Sequence, residues 1–491
     1  MKLKIFGKNA IIYSMGSLAL RASAFLLIPL YTHYLSLNDF GILSILLLTI
    51  QILVTLIDFG IINSLMRFLP EYEFSGKLYK LLGTSLTLNI FSSIFFGITG
   101  YIVLSIVSPT VIKSNNAQLY IILTIIAAIT QSLCVNMMSY YRAKNLGFKY
   151  TIISLIITIL LITFSALLLI VLNTGITGIL VGQIISYGAV WLFITTIIYF
   201  KERFGFSSEI FKKLTVYGYP LIFARSGDLL MLTLSTYFLS YFSSTEDVGI
   251  YSLAYRIASI AGIILTMPFQ LAFEPYIFAN INTEGIKKVI SSLTTYLILA
   301  MAFTSFIIVF VFKDFISIIA PPEYGTAYAI IFFLLPGLSL SGIHTIAQTL
   351  LHINNKTKTT GIVVGSLSFI STILSYFLIP KLSIIGIVIS FNFFQLSVAT
   401  LSLFFGNKSF PITFELKRIT ISLCIYFLVM LSVFLSKDLN SLYFYPANIA
   451  LITLVIFVLF NIDFFSKEEK NKLYGLIGQY HNKIHNSLRR N

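Results

Sequence analysis

Six ionisable residues sit where hydrocarbon would be expected. Arg21, Arg225 and Arg256 fall within apolar runs, as do Asp58, Asp228 and, at the end of its run, Glu274. A charge at the centre of a bilayer costs about 2.5–3.5 kcal/mol on insertion scales, so such residues face other helices or a water-filled space rather than lipid. Three intramembrane arginines and no intramembrane lysine favour an anionic phosphate ligand. The guanidinium is a planar fork that grips diphosphate oxygens two at a time, and an ammonium does not. The three acids suit ion coupling, because a carboxylate in a dry cavity can load a proton or Na+. The competing reading is static pairing, Arg21 with Asp58 and Arg225 with Asp228 one turn away. Arg256 fits pairing least. Glu274 lies 18 residues further on, about 27 Å along a helix at 1.5 Å per residue.

Helical spacing places the charges on polar stripes. Ser14, Ser17 and Arg21 step by three and four; so do Gln51, Thr55 and Asp58, and Ser252, Arg256 and Ser259, the last continued by Thr266, Gln270 and Glu274. Tyr217 and Tyr255 stand close to the charged positions and are candidates to stack on sugar rings.

The elements that carry these stripes follow from composition. Of 491 residues, 57% are hydrophobic and only 10% charged, against about 25% charged in a soluble domain. Apolar stretches of about 20 residues recur fourteen times, from 10–31 to 444–463, and in lipid such stretches are helices. The fold class expected is therefore all-α integral membrane with 14 transmembrane helices. With the N-terminus placed in the cytoplasm, only Lys113, Lys313, Lys381 and Lys437 fall in outer loops, and the inner segments take the other basic residues outside the spans. This asymmetry puts both termini in the cytoplasm. It also makes the net charge of +15 a membrane-surface feature rather than a nucleic-acid one. The first span has a basic flank and no small-residue cleavage site, so it is expected to be retained.

An internal repeat links the charged spans. "YSMGSLALR" (13–21) and "YGYPLIFAR" (217–225) both place Tyr eight residues before Arg; "NDFGILS" (38–44) and "EDVGIYS" (246–252) match at an offset of 208. Six spans separate the copies, so both begin on the same side, as in a parallel repeat about the membrane normal. The expected organisation is an N-terminal lobe over 1–200, a cytoplasmic linker over 201–213, a C-terminal lobe over 214–404, two extra helices over 405–464 and a basic cytoplasmic tail over 465–491. The charged spans 1, 2, 7 and 8 would line one cavity between the lobes. Pro29, Pro220, Pro268 and Pro275, in or beside those spans, are expected to kink them or mark their ends.

Other signals carry less. "DFG" at 39–41 and 58–60 lacks the Gly-rich loop, strand lysine and catalytic loop of a kinase metal site, so chance and repetition explain it. Cys134 and Cys424 make no disulfide framework. His481 and His485, i,i+4 in the tail, fit a solvated or membrane-surface amphipathic helix better than a zinc site. His344, Gln348 and His352 form a stripe that fits helix packing. No cofactor or metal is expected beyond a coupling ion, and an enzyme is disfavoured because the longest outer loop, 313–326, is too short to hold a catalytic site.

The stretch "LLIPLYTHYLSLNDFGILSILLLTIQILVTLIDFGIINSLMRFLPEYE" (26–73) resembles the opening of the Wzx-type oligosaccharide flippases. These form the polysaccharide-transporter branch of the MOP superfamily, alongside MATE exporters and MurJ-type lipid II flippases. "IPLYTHYLSLNDFGILS", Arg67 and "EDVGIYSLAYRI" (246–257) carry the likeness, which extends over essentially the whole chain. The resemblance implies alternating-access transfer of an undecaprenyl-diphosphate-linked oligosaccharide across a bacterial cytoplasmic membrane. Arg21, Arg225 and Arg256 would hold diphosphate or acidic sugars. Polysaccharide polymerase and chain-length machinery would be the partners. The alternative is a MATE-like Na+- or H+-coupled drug exporter, which would prefer an acidic cavity.

Overall fold

The computed structural model describes residues 16, 20, 23–354, 356–462, 464, 465, 469 and 470, without the side chains of 220, 221 and 223–225. The side chains of Arg21 and Arg225, the first part of the first span, and His481 and His485 of the tail lie outside the described residues. The described residues form sixteen α-helices. In the first half of the chain these are α1 (Ile28–Tyr34), α2 (Leu37–Asp58), α3 (Ile61–Phe74), α4 (Leu78–Val111), α5 (Ala117–Ala143), α6 (Gly147–Ala166) and α7 (Gly175–Glu202). The second half holds α8 (Ser208–Phe242), α9 (Thr245–Ala258), α10 (Met267–Ala279), α11 (Ile286–Ile319), α12 (Ala327–Ile353), α13 (Thr357–Leu382) and α14 (Ile384–Ser409). The last two are α15 (Leu416–Ser436) and α16 (Ser441–Asn461).

Twelve helical stretches among the described residues are long and apolar enough to cross a membrane. The 35-residue α8 occupies the place of the seventh expected span, and α1 continues the first. The chain is thus an all-α membrane protein laid out as the fourteen apolar runs require. Large side chains such as Phe193, Phe200, Phe369 and Phe427 remain exposed, as a lipid-facing surface permits. In the first half α5 packs on α2 and α7; in the second, α14 packs on α12 and α13, and α13 on α8. α15 packs on α11 and carries α16.

The two halves meet through the repeat itself. Ser36 accepts a hydrogen bond from the Asp39 amide at the start of α2, and Ser244 accepts one from the Asp247 amide at the start of α9. Each cap satisfies an amide that a helix start leaves free, and the aspartate of each first turn complements the helix dipole. α2 and α9 then cross at their glycines. A Cβ on Gly41 would lie 1.8 Å from the Thr245 carbonyl oxygen, and one on Gly249 would lie 2.7 Å from that of Leu37. Residues 36, 37, 39 and 41 correspond to 244, 245, 247 and 249 at the offset of 208, so the contact is reciprocal, as a twofold relation demands. Ser36→Ala and Ser244→Ala should each lower stability by about 1 kcal/mol and add in the double variant. Thermal unfolding of the solubilised protein reads this out.

Both crossing helices belong to long apolar stretches, Leu37–Phe74 and Thr245–Ala279, that break partway along their length. α2 ends where Phe59 and Gly60 take left-handed conformations, at φ 47° and 71°. Glycine is required at 60, because a Cβ there would sit 2.3 Å from the Gly218 carbonyl oxygen of α8. In the partner span, a π-helical segment over Gly262–Thr266 separates α9 from α10. Pro268 in the first turn of α10 donates no backbone hydrogen bond, which accommodates the wider turn. Pro29 likewise lies in the first turn of α1, so Pro29 and Pro268 mark helix starts, whereas Pro275 lies inside α10.

Candidate functional site

A cavity lies beside the π-helical break, where the two halves face each other. Its larger compartment has a volume of about 670 Å3 and is lined by Asp228 of α8, Arg256 of α9, Ser259, Thr266 of the π segment, Gln270 of α10, and His344 and Gln348 of α12. A smaller compartment of about 310 Å3 is lined by Ser23, Tyr31 of α1, Gln51 of α2, Gln131 of α5, Gln183 of α7 and Tyr255 of α9. Ala24 and Arg256 border both, so Arg256 stands on the wall between them. These volumes lie in the range of small-molecule sites.

Arg256 is half-buried, and among the described residues its guanidinium makes no ion pair or hydrogen bond. Its guanidinium carbon lies 5.7 Å from the centre of the Phe40 ring, a cation–π contact that holds the stem and leaves the hydrogen-bonding fork available. Glu274 forms no ion pair with it, in keeping with their separation along the chain. Asp228 shares the larger compartment.

The remaining sequence-selected residues divide. Tyr255 lines the smaller compartment, edge-on to Phe391 with ring centres 5.8 Å apart. Asp58 is buried, and its carboxylate accepts the Ile62 amide at 3.0 Å, capping α3 beyond the break. Tyr217 does not border the cavity: it packs edge-on against Phe68 at 5.3 Å, toward the end where Ser64 Oγ donates to the Leu214 carbonyl at 3.2 Å. Glu274 lines neither compartment.

Three features were read in the sequence only in part or not at all. His344 and Gln348 line the cavity rather than only packing helices, and among the described residues the buried His344 Nδ1 has no hydrogen-bond partner. Gln131 and Gln183 meet across α5 and α7; each is an isolated amide within an apolar run, which is the signal that could have found them. Both "DFG" segments have structural work. In the first, Asp39 joins the cap, Phe40 lies beside Arg256 and Gly41 makes the crossing; in the second, Asp58 caps and Phe59–Gly60 form the break.

At the other end of the cavity-lining helices, Lys213 and Glu71 join the halves at 2.8 Å, with Lys213 4.6 Å from the Phe68 ring centre. The pair is solvent-accessible, so a double-mutant cycle should find a coupling of only about 0.2–1 kcal/mol, erased in about 1 M salt where the screening length falls to roughly 3 Å.

Comparison with known proteins places this architecture. The profile of the family described as "Polysaccharide biosynthesis protein" matches residues 6–281. An uncharacterized membrane protein of Methanocaldococcus jannaschii is 24% identical over 450 residues, spanning 85% of this chain and 87% of that protein. The solved structure of the lipid II flippase MurJ in an inward closed conformation superposes with a TM-score of 0.70 at 15% identity, covering 92% of this chain and 98% of MurJ. An inward-facing MATE-family multidrug resistance transporter of the MOP superfamily gives 0.66 at 12% identity, covering 81% and 94%. At these identities the structural likenesses establish that the chain shares the fold of those two structures.

Proposed function

The chain belongs to the polysaccharide biosynthesis protein family, and from that premise we propose that it is a flippase for an undecaprenyl-diphosphate-linked oligosaccharide, such as an O-antigen, capsule or exopolysaccharide repeat unit. The observation that carries this reading is Arg256, a guanidinium without a carboxylate partner among the described residues, set on the wall of a cavity between repeat-related helices. Its fork suits a diphosphate. Arg21 and Arg225, in the first and seventh spans, would join it there. The lobes 1–200 and 214–404 rock about the repeat axis, which carries the head group from the cytoplasmic to the outer leaflet while the polyprenyl tail stays in lipid. The basic end faces the cytoplasm of a bacterial inner membrane, where polymerase and chain-length machinery act on the product.

Asp228 favours a second element. A carboxylate exposed to the larger compartment suits a coupling Na+ or H+, and it speaks for a drug exporter. Reconstitution in liposomes separates these readings. Movement of a fluorescent undecaprenyl-diphosphate oligosaccharide to the opposite leaflet, at least tenfold over empty vesicles, is the expected result. Ion-driven efflux of cationic drugs without lipid transfer would replace the flippase reading by the exporter one.

A further inference from the structure

The smaller compartment differs chemically from the larger. Gln131 and Gln183 are each 8% exposed and border it, and Gln183 Nε2 donates to Gln131 Oε1 at 3.0 Å. That bond uses one of the four hydrogen-bonding positions of each amide. The Gln131 amide nitrogen and the Gln183 amide oxygen have no other partner among the described residues, so the pair offers the cavity a donor beside an acceptor. Reversing both amides gives the same offer from the opposite members. Gln51, from a third helix, adds another amide at the same wall.

This lining selects among ligands. Its polar groups are amides and hydroxyls, with Arg256 the only charged group among the described lining residues. An apolar solute would strip water from the amides and leave them unsatisfied, at a cost of about 1–3 kcal/mol each. A metal ion or cationic drug finds no carboxylate among the described lining. A sugar hydroxyl donates and accepts at once and replaces the water it displaces bond for bond. The half-buried Tyr255, which also lines the compartment, offers aromatic surface to the apolar face of a pyranose ring.

We infer that the smaller compartment is a subsite for uncharged sugar residues, in which the Gln131–Gln183 amide pair reads hydroxyls next to a diphosphate held by Arg256. The inference rests on the flippase reading for the diphosphate alone; the amide pair recognises the sugar whatever carries it.

Binding to the purified full chain in nanodiscs tests it, with three probes: bare undecaprenyl diphosphate, the same lipid bearing a neutral hexose trisaccharide, and that trisaccharide on a lipid without phosphate. The wild type should bind the sugar-bearing diphosphate lipid at least tenfold more tightly than the bare one. Gln131→Leu combined with Gln183→Leu should erase that margin and leave affinity for the bare lipid unchanged. Gln131→Met, unbranched and of similar length, should reduce the margin in the same direction if the double variant does not accumulate. A margin that survives the amide variants, or a loss that extends equally to the bare lipid, overturns the subsite. If the phosphate-free glycolipid binds as tightly as the diphosphate one and still depends on the amides, the subsite stands and the diphosphate reading falls. If bare lipid binds and the sugar adds nothing, the subsite falls and the flippase reading stands.

Discussion

Arg256→Ala should lower transfer of a diphosphate-linked glycan on the order of a hundredfold or more, with protein abundance unchanged. Truncating one partner of a desolvated charge pair costs about 2–5 kcal/mol, and each 1.4 kcal/mol is tenfold. Removing an arginine from a buried ion pair would usually strand a carboxylate and destabilise the fold. Arg256 has no carboxylate partner among the described residues, and its Phe40 contact 5.7 Å away is the main loss to packing. Function and folding therefore separate at this position. Arg256→Lys keeps the charge and loses the two-pronged grip, so it should recover only part of the rate. Complementation of surface polysaccharide in a flippase-null strain, normalised to membrane protein level, reads both variants.

Gly41→Val should cripple the protein by a different route. Even the first carbon of that side chain would lie 1.8 Å from the Thr245 carbonyl oxygen. The obstacle is backbone, with no flexible side-chain end to swing aside. Overpacking commonly costs about 1–3 kcal/mol, and here the cost falls on the crossing of α2 and α9, where the halves meet. Transport should drop more than tenfold and the unfolding temperature should fall. Gly249→Val, whose Cβ would lie 2.7 Å from the Leu37 oxygen, should show the same defect. Gly361→Ala, with nothing within 4 Å of its added carbon, is the silent control.

The amino-acid order made the helices legible because lipid leaves the backbone no alternative. The repeat was legible because caps and crossing glycines must recur at one offset for two helices to meet about a twofold axis. Residues 36–41 and 244–249 show it in the Ser caps and the Gly contacts. What stayed hidden depends on direction rather than residue type. Tyr217 and Tyr255 are the same side chain on neighbouring spans, yet one packs against Phe68 and the other faces the smaller compartment. Tyr217 sits where α8 leans on the start of α3, with Gly218 against Gly60. Asp58 looks like an intramembrane charge in the sequence and acts as a helix cap, because the break at Phe59–Gly60 frees the Ile62 amide. Ser259, Thr266 and Gln270 of the stripe line the larger compartment, whereas Glu274, one turn beyond Gln270 on α10, lines neither compartment. Gln131 and Gln183 meet only once α5 and α7 are packed.

Transport through the space between the halves requires that this chamber be water-filled, and thiol labelling measures that directly. In a chain with Cys134 and Cys424 replaced, Ser259→Cys, one turn from Arg256 on the cavity wall, should react with a charged, membrane-impermeant thiol reagent in nanodiscs. The rate should exceed that of Phe427→Cys on the lipid-facing surface by on the order of a hundredfold. Equal, slow labelling at both positions would mean that residue 259 is as dry as the lipid face, and would contradict a water-filled chamber.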